Sequence, residues 1–275
     1  MSGPDHDHRL DQLDAAAPEI RTPLLSPGDP EPLIVQNPGG RSGFVLVCDH
    51  AGRAIPRKLG TLGLTAPDLE RHIAWDIGAA GLARKLGEAL DACVLLQAYS
   101  RLVADCNRTP GLSGMAPAVS DGTAIPGNAG LSAEDLRDRV EAIHAPYHAG
   151  IAAALDARQA SRKSIAVVSV HSFTPVMDGL SRPWSVGVLH ADDSPLSHAL
   201  LRRLQAQAGL CVGDNQPYSL GDIDYTIPRH AQGRGLDYLE LEVRQDLIAD
   251  DAGQAAIAAL LARLLEGLDP LRTSA

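Results

Sequence analysis

The chain is short of four things, and each shortage removes a class of function. Aromatic residues are only 3% of its 275 residues, too few for the stacking platforms that hold single-stranded nucleic acid. Positive charge is outnumbered, 24 Lys+Arg against 34 Asp+Glu for a formal charge of -10, so neither nucleic acid nor an anionic membrane is expected as a partner. The four cysteines, Cys48, Cys93, Cys106 and Cys211, form no CxxC pair and no disulfide framework, which reads as free thiols in a reducing compartment, the cytoplasm. No apolar run approaches the ~20 residues of a membrane span. The opening MSGPDHDHRLDQLD also lacks the basic start and apolar stretch of a signal peptide.

What is present suits one large domain: 45% apolar and 21% charged residues, enough for a substantial core. Residues 1–40 carry Pro23, Pro27, Pro30 and Pro32 and are expected to form a loosely ordered arm, leaving 41–275 as the domain. Apolar runs predict strands at 44–48, 93–96, 165–170, 185–189 and 238–243, with a short extended piece at 102–104. Helices are expected from the Thr65-Ala66-Pro67-Asp68 start and through Leu82, Leu86 and Leu90. Others follow Leu136 to Leu155 (interrupted by Pro146), Leu196 to Leu204, and Ile257 to Leu268. This alternation predicts a three-layer α/β/α sandwich around a mixed, largely parallel sheet. The stretch 109–130, rich in Gly, Pro and Ser, reads as a long functional or mobile loop of the kind that can close over a site.

Chemistry in such sheets gathers at the carboxyl ends of the strands. Two buried runs end in histidine, Phe44 to Cys48 leading to His50 and Ile165 to Val170 leading to His171. As a pair they suit a mononuclear metal site, with imidazole favouring zinc; taken singly, each is equally explained by a backbone hydrogen bond at a strand end. A carboxylate should complete the set. Asp49 would need a bend, because neighbours on an extended chain point to opposite sides. Asp76 lies four residues after His72 in a stretch read as helical, where the two would share a face, unless it is an exposed helical acid.

The last strand alternates, with Leu239, Leu241 and Val243 on one face and Glu240, Glu242 and Arg244 on the other. Inside a covered sheet the polar face needs a cavity or mutual pairing, and a carboxylate there suits a general base acting on water; a solvated edge strand is the alternative. Arg101, Asn107 and Arg108 offer planar donors for a small anionic substrate, or else simply pair with acids such as Asp105. His144 and His148 have a two-histidine spacing, but no Glu follows the first and Pro146 lies between them, so they are set aside. His6 and His8, in the arm, are expected to be solvated.

With these residues laid out, the chain resembles the N-formylglutamate amidohydrolase family. The resemblance rests on DHAG with Ile55-Pro56 (49–56), WDIGA (75–79), SRLVADCNR (100–108), VHSFTP (170–175) and LELEVRQD (239–246), in that order. That family is similar to zinc carboxypeptidases, a phosphorylase/hydrolase-like α/β/α fold. The resemblance implies one Zn2+ per chain on His50, Asp76 and His171, with Glu242 as general base and Arg101 polarising the scissile carbonyl. It implies that Asn107 and Arg108 hold the substrate carboxylate, with Arg229, His230 and Arg244 as further substrate-binding residues. Arg53 stands three residues after His50, where carboxypeptidases carry a ligand Glu, and so Asp76 takes the acidic position. The implied reaction is hydrolysis of an N-acyl amino acid, N-formyl-L-glutamate to formate and L-glutamate as in histidine degradation. A carboxypeptidase-like hydrolase of a peptide or cell-wall fragment, and a non-catalytic anion-binding protein on the same scaffold, are the competing readings.

Overall fold

The computed structural model describes residues 22–161, 164–177, 179–191, 194–221 and 224–270; His6, His8 and the first half of the expected arm lie outside them. Seven strands form one sheet: β1 (Leu33–Gln36), β2 (Phe44–Cys48), β3 (Cys93–Gln97), β4 (Ala166–Phe173), β5 (Val186–Leu189), β6 (Val212–Asp214) and β7 (Asp237–Arg244). Their order across the sheet is β1-β3-β2-β4-β7-β5-β6. β3, β2, β4 and β7 run parallel, β5 is antiparallel to β7, and β1 is antiparallel to β3. The sheet is therefore mixed and largely parallel, with helices on both faces.

The helices are α1 (Ala79–Leu90), α2 (Ala133–Arg139), α3 (Ala145–Ser161), α4 (Pro195–Gln205), α5 (Thr226–His230) and α6 (Asp251–Leu265), besides a single capped turn at Ala66–Leu69. On one face α1, α4 and α6 bury Leu82, Leu86, Leu200, Leu204, Leu261 and Leu265 against Leu46, Val168, Leu239 and Leu241. On the other, Ile143, Tyr147, Ile151 and Leu155 pack on Val45, Val47, Leu95 and Val167. Burying each such side chain contributes roughly 1.5–3 kcal/mol, and strict alternation along each strand divides the side chains between the two layers.

Three local features differ from the sequence expectation. Leu33–Gln36, placed in the arm, is an edge strand paired with β3; the prolines around it bracket a β-branched run that suits an edge. Residues 102–104 lie in turns and irregular backbone, not extended strand, and Val103 N–H donates to the Ser100 carbonyl (2.9 Å). The interruption expected at Pro146 is absorbed by a π-helical turn, Val140–His144, that joins α2 to α3. A wider turn supplies the slack that a missing proline N–H requires. No described helix is long and apolar enough to cross a membrane.

Candidate metal centre

The parallel strands deliver their carboxyl ends to one cavity of about 910 Å3, lined among others by His50, Asp76, Arg101, Arg108, His171, Glu240 and Glu242. His50 follows β2, His171 lies near the end of β4, and Glu242 sits beside His171 in register on β7. β7 is not an edge strand. It lies between β4 and β5, with both edges paired; residues 238–243 are buried, and Glu240 and Glu242 line the cavity.

Asp76 is not on a helix. It occupies the turns before α1, where its N–H donates to the His50 carbonyl (3.0 Å) and ties the two ligand-bearing loops together. Gly78 makes the approach to α1 with φ 80, where a Cβ would stand 2.1 Å from the Ile248 carbonyl oxygen. Only glycine fits that combination of positive φ and close approach. His72 reaches Asp76 Oδ1 only at 3.8 Å.

Three donor atoms converge. His50 Nδ1 and His171 Nδ1 lie 3.4 and 2.9 Å from Asp76 Oδ2. All three residues are buried, and their ligand atoms lie within 4.8 Å of one another. The far side of each ring faces another carboxylate. His50 Nε2 is 2.8 Å from Asp105 Oδ1, and His171 Nε2 is 3.6 Å from Asp49 Oδ2. The Asp105 hydrogen bond holds the His50 proton on Nε2 and turns its Nδ1 lone pair inward, the arrangement that metal-binding histidines use; Asp49 faces His171 Nε2 from beyond hydrogen-bond distance. Asp49, the alternative acidic ligand, is thus behind His171, and its Oδ1 accepts from the Tyr147 hydroxyl (2.8 Å).

Electrostatics agree with the geometry. Against the burial that would raise it, His50 and His171 hold the Asp76 carboxyl well below its usual range. Burial likewise opposes His171, but the Asp49 and Asp76 carboxylates on either side of its ring raise its hold on positive charge well above normal; a cation bound at Nδ1 would take the place of the proton there. This is a pocket of anions gathered on one positive centre, and two imidazoles with a carboxylate and an open side match the donor set of a catalytic zinc site. Burial pushes Glu242 up to about 8, and its Oε2 has no hydrogen-bond partner.

Arg101 is anchored by Asp105 Oδ2 (2.8 Å) and Asp76 Oδ1 (3.4 Å), with its guanidinium edge on the cavity. Arg108 pairs with Asp224 (3.1 Å). Asn107 Oδ1 accepts from the Tyr225 and Thr226 N–H groups at 3.0 Å.

Three expected substrate contacts are not brought to this cavity. Arg244, at the end of β7, binds Asp246 (2.7 Å) and the Pro183 carbonyl (3.2 Å). Arg229 stacks on Tyr225. His230 is buried against His148, with His148 Nδ1 and His230 Nε2 2.9 Å apart. In each case the alternation or block was legible, but the side chain is engaged with a neighbour and is not among those lining the cavity.

Residues outside the expected set also support the site. Asp105 and Tyr147 are the main ones, Tyr147 being signalled only by its place in the apolar period Ile143, Tyr147, Ile151. His144 and His148, set aside as ligands, face the carbonyls of Arg108 (3.1 Å) and Cys106 (2.8 Å) and so carry the Asn107–Arg108 backbone. Burial holds His148 down, near 3, and hence neutral.

The N-formylglutamate amidohydrolase family model matches residues 42–249. The chain belongs to the N-formylglutamate amidohydrolase family. Among solved structures it is similar to gene product Atu2144 from Agrobacterium tumefaciens, with 39% identity, a TM-score of 0.85, and coverage of 89% of this chain and 97% of that one. It shares its fold with N-formylglutamate amidohydrolase from Ralstonia eutropha JMP134, at 18% identity, a TM-score of 0.65, and coverage of 90% and 100%. No curated protein matches the chain by sequence. Family membership makes the chain an amidohydrolase, and its α/β sandwich is the fold of its relatives.

Proposed function

We propose that this amidohydrolase uses zinc to hydrolyse the amide of an N-formyl or short-chain N-acyl amino acid. The observation that carries this is the convergence of His50 Nδ1, His171 Nδ1 and the Asp76 carboxylate beside the unpartnered Glu242 oxygen. His50, Asp76 and His171 would hold the cation, which when bound polarises the amide carbonyl and makes water a stronger acid. Glu242 takes the proton from the attacking water and returns it to the leaving amine, a role suited by a carboxyl tuned into the neutral range. Arg101 donates to the oxyanion that develops on the carbonyl oxygen. Arg108 and Asn107 hold the substrate α-carboxylate, with Arg108 exchanging Asp224 for it. Arg229, His230 and Arg244 are not among the residues that line the cavity.

The four cysteines are free, which fits a reducing compartment, and the cytoplasm is the proposed location. N-formyl-L-glutamate, the compound in the family's name, is the reference substrate. The test is formate release from a panel of N-formyl and N-acetyl amino acids by the zinc-loaded protein, before and after chelation and after zinc is restored. Activity that vanishes with the metal and returns with it is expected. Chelated protein that hydrolyses equally well would refute the reading, and release of C-terminal residues from acyl-dipeptides alone would favour the peptide-hydrolase alternative.

A further inference from the structure

Behind one wall of the cavity stands a guanidinium that the reaction above does not use. Arg182 follows a short hairpin, in which Val176–Met177 pairs with Leu180–Ser181, shortly after β4, the strand that carries His171. Its N–H donates to the Pro175 carbonyl at 2.8 Å and closes the hairpin at its base. The side chain lies over the Tyr218 ring, 4.9 Å from its centroid, and Nη1 donates to the Tyr218 hydroxyl at 2.8 Å.

Its partners set it apart from the arginines that line the cavity. Arg71 pairs with Asp121 at 2.8 Å, Arg101 with Asp105 at 2.8 Å and Arg108 with Asp224 at 3.1 Å. Arg182 meets no carboxylate among the described residues. Its Nη2 donates instead to Met177 Sδ at 2.6 Å, and the Tyr218 hydroxyl donates to the same sulfur from 3.8 Å. Two donors, one of them cationic, thus converge on a thioether, which is a neutral and weak acceptor. Met177 and Tyr218 both line the cavity. Burial and the nearby Glu242 push the Tyr218 phenol up, so it keeps its proton and remains a donor. The sulfur therefore stands where a carboxylate oxygen would be held more strongly, on a side chain with enough rotatable bonds to swing clear.

We propose that Arg182 and Tyr218 receive the carboxylate that ends the substrate side chain, which takes the place of Met177 Sδ between them, and that Arg182 thereby determines the preference for an acidic amino acid. The inference rests on the N-acyl amino acid reading, in which Asn107 and Arg108 hold the α-carboxylate, and it adds the residues that select the side chain. An acid and its amide have nearly the same shape, but only the acid brings a charge for the guanidinium and a second acceptor oxygen for the phenol. Arg108 meets the α-carboxylate of both alike, so the difference between them reports on Arg182.

Binding of the product amino acids tests this independently of turnover. Calorimetric titration of the zinc-loaded protein with L-glutamate, L-glutamine, L-aspartate and L-asparagine should show at least one acid bound about tenfold or more tighter than its own amide. Arg182→Gln should bring that preference down to about threefold or less while the amide binds as before, and Tyr218→Phe should reduce it by a smaller factor. Acids bound no more tightly than their amides, no binding of either acid, or a preference unaltered in Arg182→Gln would overturn the proposal. So would an amide affinity that falls in step with the acid's, since that assigns Arg182 a structural role. If the acid preference holds and depends on Arg182 but no N-formyl amino acid is hydrolysed, the role of Arg182 is supported and the deacylase reading fails.

Discussion

Asp105→Asn probes the layer of carboxylates behind the imidazoles. The amide keeps the shape of the side chain and an oxygen for His50 Nε2, now 2.8 Å away, and for the Asn107 N–H at 3.0 Å. It removes the negative charge, and a neutral acceptor holds a proton about half as strongly as an ionised one. Arg101 loses its nearest anion, the Asp105 oxygen at 3.1 and 2.8 Å from Nε and Nη2, and is drawn toward Asp76 Oδ1, at present 3.4 Å away. That diverts the carboxylate expected to hold the cation. The two effects act in the same direction. Loss of such an outer partner typically weakens metal affinity by about 10- to 100-fold, or about 1.4–2.7 kcal/mol. Competition for zinc against a chromophoric chelator measures this directly, and near-ultraviolet circular dichroism of the metal-free variant shows whether its fold is kept. A folded variant that binds zinc within about twofold of the wild type would refute the assignment of Asp105.

Glu242→Gln is expected to lower kcat by about 10²- to 10⁴-fold with bound zinc unchanged; metal analysis alongside steady-state kinetics checks both. Arg108→Lys should raise KM about tenfold with little change in kcat, because a point charge replaces a planar two-pronged donor. The pH dependence of the metal-free protein follows from Glu240. Its folded-state value, about 8, lies above the ordinary carboxyl value, so the folded form binds the proton more tightly. The resulting stabilisation is fully present below the unfolded value and is lost as pH rises through 8. Denaturant titrations at pH 6 and pH 8 should differ by about 2 kcal/mol from this group. Glu240→Gln should remove that contribution, and an unchanged difference would show that Glu240 does not carry the proton.

The strands and both histidines were legible because they depend on local pattern: an unbroken apolar run ends in a functional side chain where a buried parallel strand meets its loop. The position of Glu242 was legible for the same reason, through the two-residue repeat of β7. Asp76 was legible as a residue but not as a place. Its turn is set by contacts with the His50 carbonyl and the backbone near Ile248, both remote in sequence. Arg244 does not line the cavity, because alternation gives the face of a strand and not the point at which the strand leaves the cavity. Arg229 and His230 do not line it either, because a five-residue helix, α5, sets them against Tyr225 and His148. The supporting carboxylates were hidden for a similar reason, since Asp105 had a plausible local partner in Arg101 and its distant one, His50, is fixed only by the fold.

The π-helical turn at Val140–His144 has a consequence for how this chain tolerates change. One residue more than an ordinary turn requires is stored there, and an α-helix rotates about 100° per residue. The wide turn takes up that rotation locally, so Tyr147 and His148 keep facing Asp49 and the Cys106 carbonyl. Deleting one position within Val140–Ile143 should regularise the turn and leave the phase of α3 in place. A one-residue insertion there has no slack left to absorb it and would turn Tyr147 and His148 away together, although neither residue had been altered. This segment should therefore tolerate shortening by one residue better than lengthening by one.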